Sequence, residues 1–198
     1  MEYSFTKADD EDLVRRILRS PPVYREFIIR YQRMVSVIIS RMIMNEEDRK
    51  DISQDVYLKA YHNLSSFRFS SRLSTWLGSI TYNTCINFLN KKNYLLIDDL
   101  FPEGKDNDDM KFNVPDVNMV AQDEWLISKE VQQYLHQSIE QLPPIFKTMI
   151  ALYHSEEFSY EEIAEMTELP LGTVKSYLFR ARKKLKESLL MQFKTEEL

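Results

Sequence analysis

Glycine is scarce in this chain: Gly78, Gly104 and Gly172 are the only three in 198 residues, and long stretches instead repeat apolar residues every three or four positions. That pattern predicts helix throughout, an all-α fold. Cysteine is almost missing. Cys85 stands alone, which excludes an internal disulfide and a cysteine cluster for zinc, and its apolar neighbours make it a packed core thiol rather than a nucleophile. The three histidines, His62, His136 and His154, lack the spacing of a metal site or a catalytic pair, so no enzyme and no catalytic cofactor are expected. No apolar run approaches the roughly 18 to 20 residues a membrane helix needs, and residues 1–20 are charged where a signal peptide would be hydrophobic. The cytoplasm is the expected compartment.

What is present is enough apolar residue, 43%, to build a core in one ordinary domain or two small ones. The net charge of -5 argues weakly against nucleic acid when taken alone, but it is unevenly spread. Residues 68–92 hold four cations, Arg68, Arg72, Lys91 and Lys92, and no acid, while residues 170–194 hold seven cations against Glu187 alone. Between these islands, residues 93–130 carry ten acids against three lysines, with Pro102, Gly104, Pro115 and the run Asp106-Asn107-Asp108-Asp109 opposing regular structure. This reads as an acidic linker, residues 94–125, between a domain at 1–93 and a second at 126–198.

In the first domain a helix is expected over residues 10–18, broken by Pro21-Pro22, and a longer one to about Met44 with Phe27, Ile28, Tyr31, Met34, Val35, Ile38, Ile39 and Met42 as its buried stripe. A third, over residues 47–63, turns Ile52, Val56 and Ala60 inward and leaves Asp51, Gln54, Asp55, Leu58 and His62 together outside. That outer face is either a solvated surface or a protein-binding one. The segment 65–72 then mixes Phe67 and Phe69 with Arg68, Ser70, Ser71 and Arg72 ahead of a helix capped by Ser74. Such a mixture suits single-stranded DNA, with aromatic rings stacking on bases and arginines neutralising phosphate; the two phenylalanines serve equally well as loop anchors on the core. Trp76, Ser79, Asn83, Asn87 and Asn90 share one face of the following helix, where a stacking plane beside amide donors and acceptors could hold an extruded base or could form a partly buried Trp against a polar surface.

In the second domain Pro143-Pro144 separates two supporting apolar helices, the first carrying Val131, Leu135, Ile139 and Leu142 and the second Ile145, Met149, Ile150 and Tyr153. Ser159-Tyr160-Glu161-Glu162 fits a capping box, and after a turn through Pro170 a second helix begins near Gly172 with Val174, Leu178, Ala181 and Leu185 as its buried seam. This is a helix-turn-helix pattern, four helices in all. Lys175, Ser176, Phe179, Arg180 and Lys183 fall opposite the seam, a basic face with an exposed aromatic that suits a major groove.

The order of these segments resembles the extracytoplasmic-function class of bacterial sigma factors. The resemblance rests on Asp12-Leu13-Val14-Arg15-Arg16, Asp51-Ile52-Ser53-Gln54-Asp55-Val56, Ser74-Thr75-Trp76-Leu77, Tyr160-Glu161-Glu162-Ile163-Ala164, and Gly172-Thr173-Val174-Lys175-Ser176 continuing through Arg180-Ala181-Arg182. It implies a region 2 domain that binds core RNA polymerase through Asp51, Gln54, Asp55 and Leu58. The same domain would read and melt the promoter -10 element through Phe67, Arg68, Phe69, Ser70, Ser71, Arg72, Trp76, Asn83, Asn87, Lys91 and Lys92. It implies a region 4 domain that reads the -35 element through Thr173, Lys175, Ser176, Phe179, Arg180, Arg182 and Lys183. Asn87 and Asn90 depart from the Asp and Arg that many members carry. Proteins of this class are not enzymes, and an anti-sigma partner is implied. The alternative reading is a stand-alone helix-turn-helix repressor, dimeric on a palindromic site, which accounts only for the C-terminal half. A further expectation is self-inhibition, the acidic linker covering a basic face in a way that salt would screen.

Overall fold

The computed structural model describes residues 6–92 and 129–196, and among them there is helix and no strand. The expected linker at 94–125 lies outside the described residues. Eight α-helices follow in order: α1 Lys7–Arg19, α2 Tyr24–Met42, α3 Glu46–Asn63, α4 Leu73–Lys91, α5 Lys129–Glu140, α6 Pro144–Ile150, α7 Tyr160–Thr167 and α8 Leu171–Glu196.

Helix α1 starts three residues earlier than its apolar pattern indicates because Thr6 and Asp9 form a reciprocal capping box, Thr6 N donating to Asp9 Oδ2 at 2.8 Å. Pro21–Val23 forms a 3-10 turn where the prolines cannot continue the helix. Helix α2 ends at Met42, short of the expected Met44, because Ile43 is extended and Asn45 already caps α3, its side chain accepting from the Glu47 and Asp48 amides. The Ser159 capping box is as expected, Glu162 N meeting Ser159 Oγ at 3.1 Å. Helix α8 begins at Leu171, one residue before Gly172.

Leu13, Val14 and Ile17 of α1, the α2 stripe, Ile52, Val56 and Ala60 of α3, and Leu73, Leu77 and Cys85 of α4 build the N-terminal core. Ile28, expected in the α2 stripe, is only half-buried at its edge. Each fully buried Leu, Ile or Phe contributes about 1.5 to 3 kcal/mol. Burial pushes the Cys85 thiol up to about 12, which leaves it protonated and chemically inert. In the C-terminal half Phe146, Met149, Ile163, Val174, Leu178 and Ala181 are buried together, with Phe146 against Tyr177 at 5.5 Å between ring centres. The chain between α6 and α7 passes through a π-turn, Ala151–Ser155. The buried residues of both halves join into one continuous cluster. No helix among the described residues is long and apolar enough to cross a membrane.

Glu156 is buried beside Arg33 of α2, with Nε to Oε1 at 3.3 Å. Burial raises its carboxyl above the ordinary value of 4.5, Arg33 opposes that rise and Glu157 adds to it. A raised folded-state pKa contributes stability that is complete below the unfolded value and lost as pH climbs through the folded one. The melting temperature of the wild type relative to Glu156→Gln is therefore expected to rise as pH falls from neutrality toward 4.5. A difference independent of pH in paired thermal melts would refute this.

Candidate nucleic-acid and protein interfaces

Helix α3 presents the outer face expected of it. Asp51, Gln54, Asp55, Leu58 and His62 are all exposed, while Ile52, Val56 and Ala60 face the core. Leu58 is 58% exposed, and Tyr61 extends the apolar patch toward Tyr24, ring centres 4.9 Å apart. Asp55 pairs with Lys59 at 2.7 Å one turn on, an exposed contact of small energetic weight.

The aromatic-basic loop is more ordered than its small residues suggest. Phe67, only 9% exposed, lies between Phe69 and Trp76 at 4.7 and 5.0 Å, so its ring anchors the loop to the core. Phe69 holds a left-handed φ of 55°, a conformation costly for a bulky residue and retained here by its packing on Phe67. Arg68, Ser70 and Arg72 are exposed and Ser71 is half-exposed around it. Trp76 is half-buried, as in the second of the two readings of that face. Asn87, Lys91 and Lys92 lie exposed further along α4, with Lys92 bridging to Asp48 at 2.8 Å.

Ser74 does not cap α4. The helix begins at Leu73, and Arg72 at the cap position offers no side-chain acceptor. The cap comes from elsewhere in the chain: Asp10, 4% exposed on α1, accepts the Leu73 amide at 3.0 Å through Oδ2 and the Tyr31 hydroxyl at 3.1 Å through Oδ1. Asp10 thus ties α1 and α2 to the end of the loop. The sequence carries a signal for it, since Asp10 shares one stripe with Leu13, Val14 and Ile17, and an acid on an apolar stripe needs a buried partner.

On α8 the seam of Val174, Leu178, Ala181 and Leu185 is buried, and Lys175 and Lys183 are exposed beside half-exposed Thr173, Ser176 and Arg180. Phe179 is 48% exposed among them. Arg182 departs from this face. Its guanidinium turns back over the Tyr153 ring at 4.9 Å and donates to His154 Nε2 at 3.3 Å and the Tyr160 hydroxyl at 3.4 Å. Burial and the neighbouring guanidinium hold His154 below the ordinary imidazole range, which keeps Nε2 free to accept.

A helical bundle with an exposed apolar-acidic face, joined to a helix-turn-helix whose second helix shows cations and an aromatic outward, defines a DNA-binding transcription factor. The family model for Sigma-70 region 2 matches residues 27–94, and that for Sigma-70, region 4 matches residues 132–185. The RNA polymerase sigma-H factor of Pseudomonas aeruginosa is 30% identical over 190 residues, covering 93% of this chain and 95% of that protein. The ECF RNA polymerase sigma-E factor of Escherichia coli K12 is 33% identical over 179 residues, covering 87% and 90%. Two solved structures share the fold. CnrH in complex with the cytosolic domain of CnrY superposes with a TM-score of 0.60 at 18% identity, covering 91% of this chain and 96% of that one. The sigma factor RpoE in complex with the anti-sigma factor NepR, from Bartonella quintana, superposes at 0.59 and 21%, covering 84% and 96%.

The chain belongs to the extracytoplasmic-function sigma factors. It is a sigma factor, directing RNA polymerase to promoters to start transcription. The alternative of a stand-alone repressor is set aside, because the N-terminal half matches region 2 and not a ligand or dimerisation domain.

Proposed function

We propose how the chain divides this work. Residues 1–93 form the polymerase-binding and -10-reading unit, 94–125 the connection, and 126–198 the -35 reader. Asp51, Gln54, Asp55 and Leu58 contact polymerase. Arg68 to Ser71, framed by Arg72, Trp76 and Asn83, receive an unpaired -10 base, with Asn87, Lys91 and Lys92 along the backbone. Lys175, Ser176, Phe179 and Arg180 read the -35 duplex, flanked by Thr173 and Lys183, while Arg182 braces α8 from behind. The chain itself performs no catalysis; the bond-making chemistry is polymerase's. A protein inhibitor of the anti-sigma kind completes the reading, because the Bartonella quintana sigma factor was solved with the anti-sigma factor NepR bound and CnrH with the cytosolic domain of CnrY.

The observation that carries the -35 assignment is Phe179, which stands exposed at the centre of a cationic helix face opposite a fully buried seam. An aromatic ring that keeps about half its surface open on a cationic helix face fits apolar contact with a thymine methyl in the major groove. The test is transcription by polymerase reconstituted with the full chain on a library randomised in the -35 element. Lys175→Ala and Arg180→Ala are each expected to relax preference at one or two positions, at about 1 to 3 kcal/mol apiece. Uniform weakening on all sequences would reduce these residues to phosphate contacts.

A further inference from the structure

The most extensive helix contact that α4 makes is with α7 of the helix-turn-helix half. Gly78 is buried where the two meet, and a Cβ there would lie 2.6 Å from the Sδ of Met166, itself fully buried. On either side of this contact α7 and its C-cap place a carboxylate on α4 or the loop before it. Glu162 Oε1 lies 3.2 Å from Arg72 Nη1, and Glu168 Oε1 accepts from Asn83 Nδ2 at 2.9 Å. Further out, Glu156 pairs with Arg33 and Glu140 with Arg41.

Arg72 and Asn83 are two of the groups assigned above to the -10 element, and the inference rests on that assignment. A carboxylate offers a guanidinium or an amide the same acceptor chemistry as a phosphate or a base edge. The -35 face of α8 keeps Lys175, Phe179 and Lys183 exposed, whereas in the -10 set two polar groups, Arg72 and Asn83, are already engaged by carboxylates. The contact also leaves polar groups unsatisfied: the buried Tyr82 hydroxyl and Thr75 Oγ1 have no hydrogen-bond partner among the described residues.

We propose that α7 is an internal occupant of the -10 reading surface: the free protein is held closed, with Glu162 and Glu168 seated on Arg72 and Asn83, and it reads the -10 element only after this pairing comes apart. Because the Glu162–Arg72 ion pair is partly exposed and screened by salt, and Glu168 meets only the neutral amide of Asn83, Met166 in the space left by Gly78 is the main latch.

Two sets of variants of the full chain open it by different means. Gly78→Gln puts a side chain where Met166 must sit. Glu162→Gln with Glu168→Lys removes both carboxylates, and glutamine at 162 keeps the α7 capping box. Free wild type and variants are compared by small-angle scattering and by fluorescence anisotropy with a pool of random single-stranded DNA of about 20 nucleotides. Gly78→Gln is expected to show a larger radius of gyration and at least about tenfold tighter DNA binding, and the carboxylate variant a smaller change in the same direction, because apparent affinity scales with the competent fraction. A wild type as extended as the variants overturns the proposal. So do opened variants that bind no better while Arg72→Ala still impairs transcription by the holoenzyme, an outcome that leaves the -10 assignment standing. A gain in binding that survives adding Arg72→Ala and Asn83→Ala overturns both the assignment and the proposal built on it.

Discussion

Leu58→Arg is expected to abolish co-elution of the full chain with bacterial core RNA polymerase on a sizing column while the protein stays folded. Leu58 is 58% exposed and its outward neighbours Asp51, Gln54 and Asp55 touch solvent, so the fold gains little from this leucine and the variant should melt within about 0.5 kcal/mol of wild type. At an interface the arithmetic differs. An apolar anchor ringed by polar groups is typical of the few residues that carry about 2 kcal/mol or more each, and arginine would add an unpaired charge to the buried patch. Together these effects exceed roughly thirtyfold in affinity. Duplex DNA binding through α8 should not change, since Leu58 is on a different helix. Unaltered co-elution would remove this face of α3 from the polymerase contact and would leave the -35 assignment untouched.

Asp10→Ala is expected to lower stability by about 2 to 4 kcal/mol, because it removes the hydrogen bonds from the buried Tyr31 hydroxyl and the Leu73 amide and strands the latter. For a chain of this length that corresponds to roughly 5 to 15 °C in Tm. The effect should reach function through geometry. Leu73 begins the helix that carries Trp76 and Asn83, and Asp10 is the only cap its first amide has among the described residues. Asp10→Asn keeps one strong acceptor and should recover part of the stability. A thermal melt of Asp10→Ala within 1 kcal/mol of wild type, by the ordinary scale of surface changes, would show that water replaces the carboxylate and that α4 needs no cap from α1.

Much of this was legible before any coordinates. The stripe of α2, the outer face of α3, the Ser159 capping box and the α8 seam all follow from spacing within a turn or two of helix, where neighbours in sequence are neighbours in space. Where local reading failed, a distant residue had intervened. Ser74 has the right chemistry for a cap, but Asp10 arrives from 63 residues away and the helix starts two positions sooner than a Ser74 cap implies. Arg182 has the right charge for the DNA face, yet Tyr153, Tyr160 and His154 draw it to the other side. Phe67 fits either a stacking platform or an anchor, and only its position between Phe69 and Trp76 decides for the anchor.

The sequence by itself therefore determined an all-helical protein with two basic islands, the Ser159 capping box, the buried faces of the helices and the family to which the chain belongs, because helix periodicity is local and motif order does not depend on tertiary contacts. The tertiary structure alone decided that α7 lies on α4, that Gly78 makes room for Met166, and that Arg72 and Asn83 meet carboxylates 90 and 85 residues further along the chain. The physical reason is that such contacts join segments far apart in sequence. Neither face carries a periodicity that announces its partner, and only the folded arrangement brings them within reach.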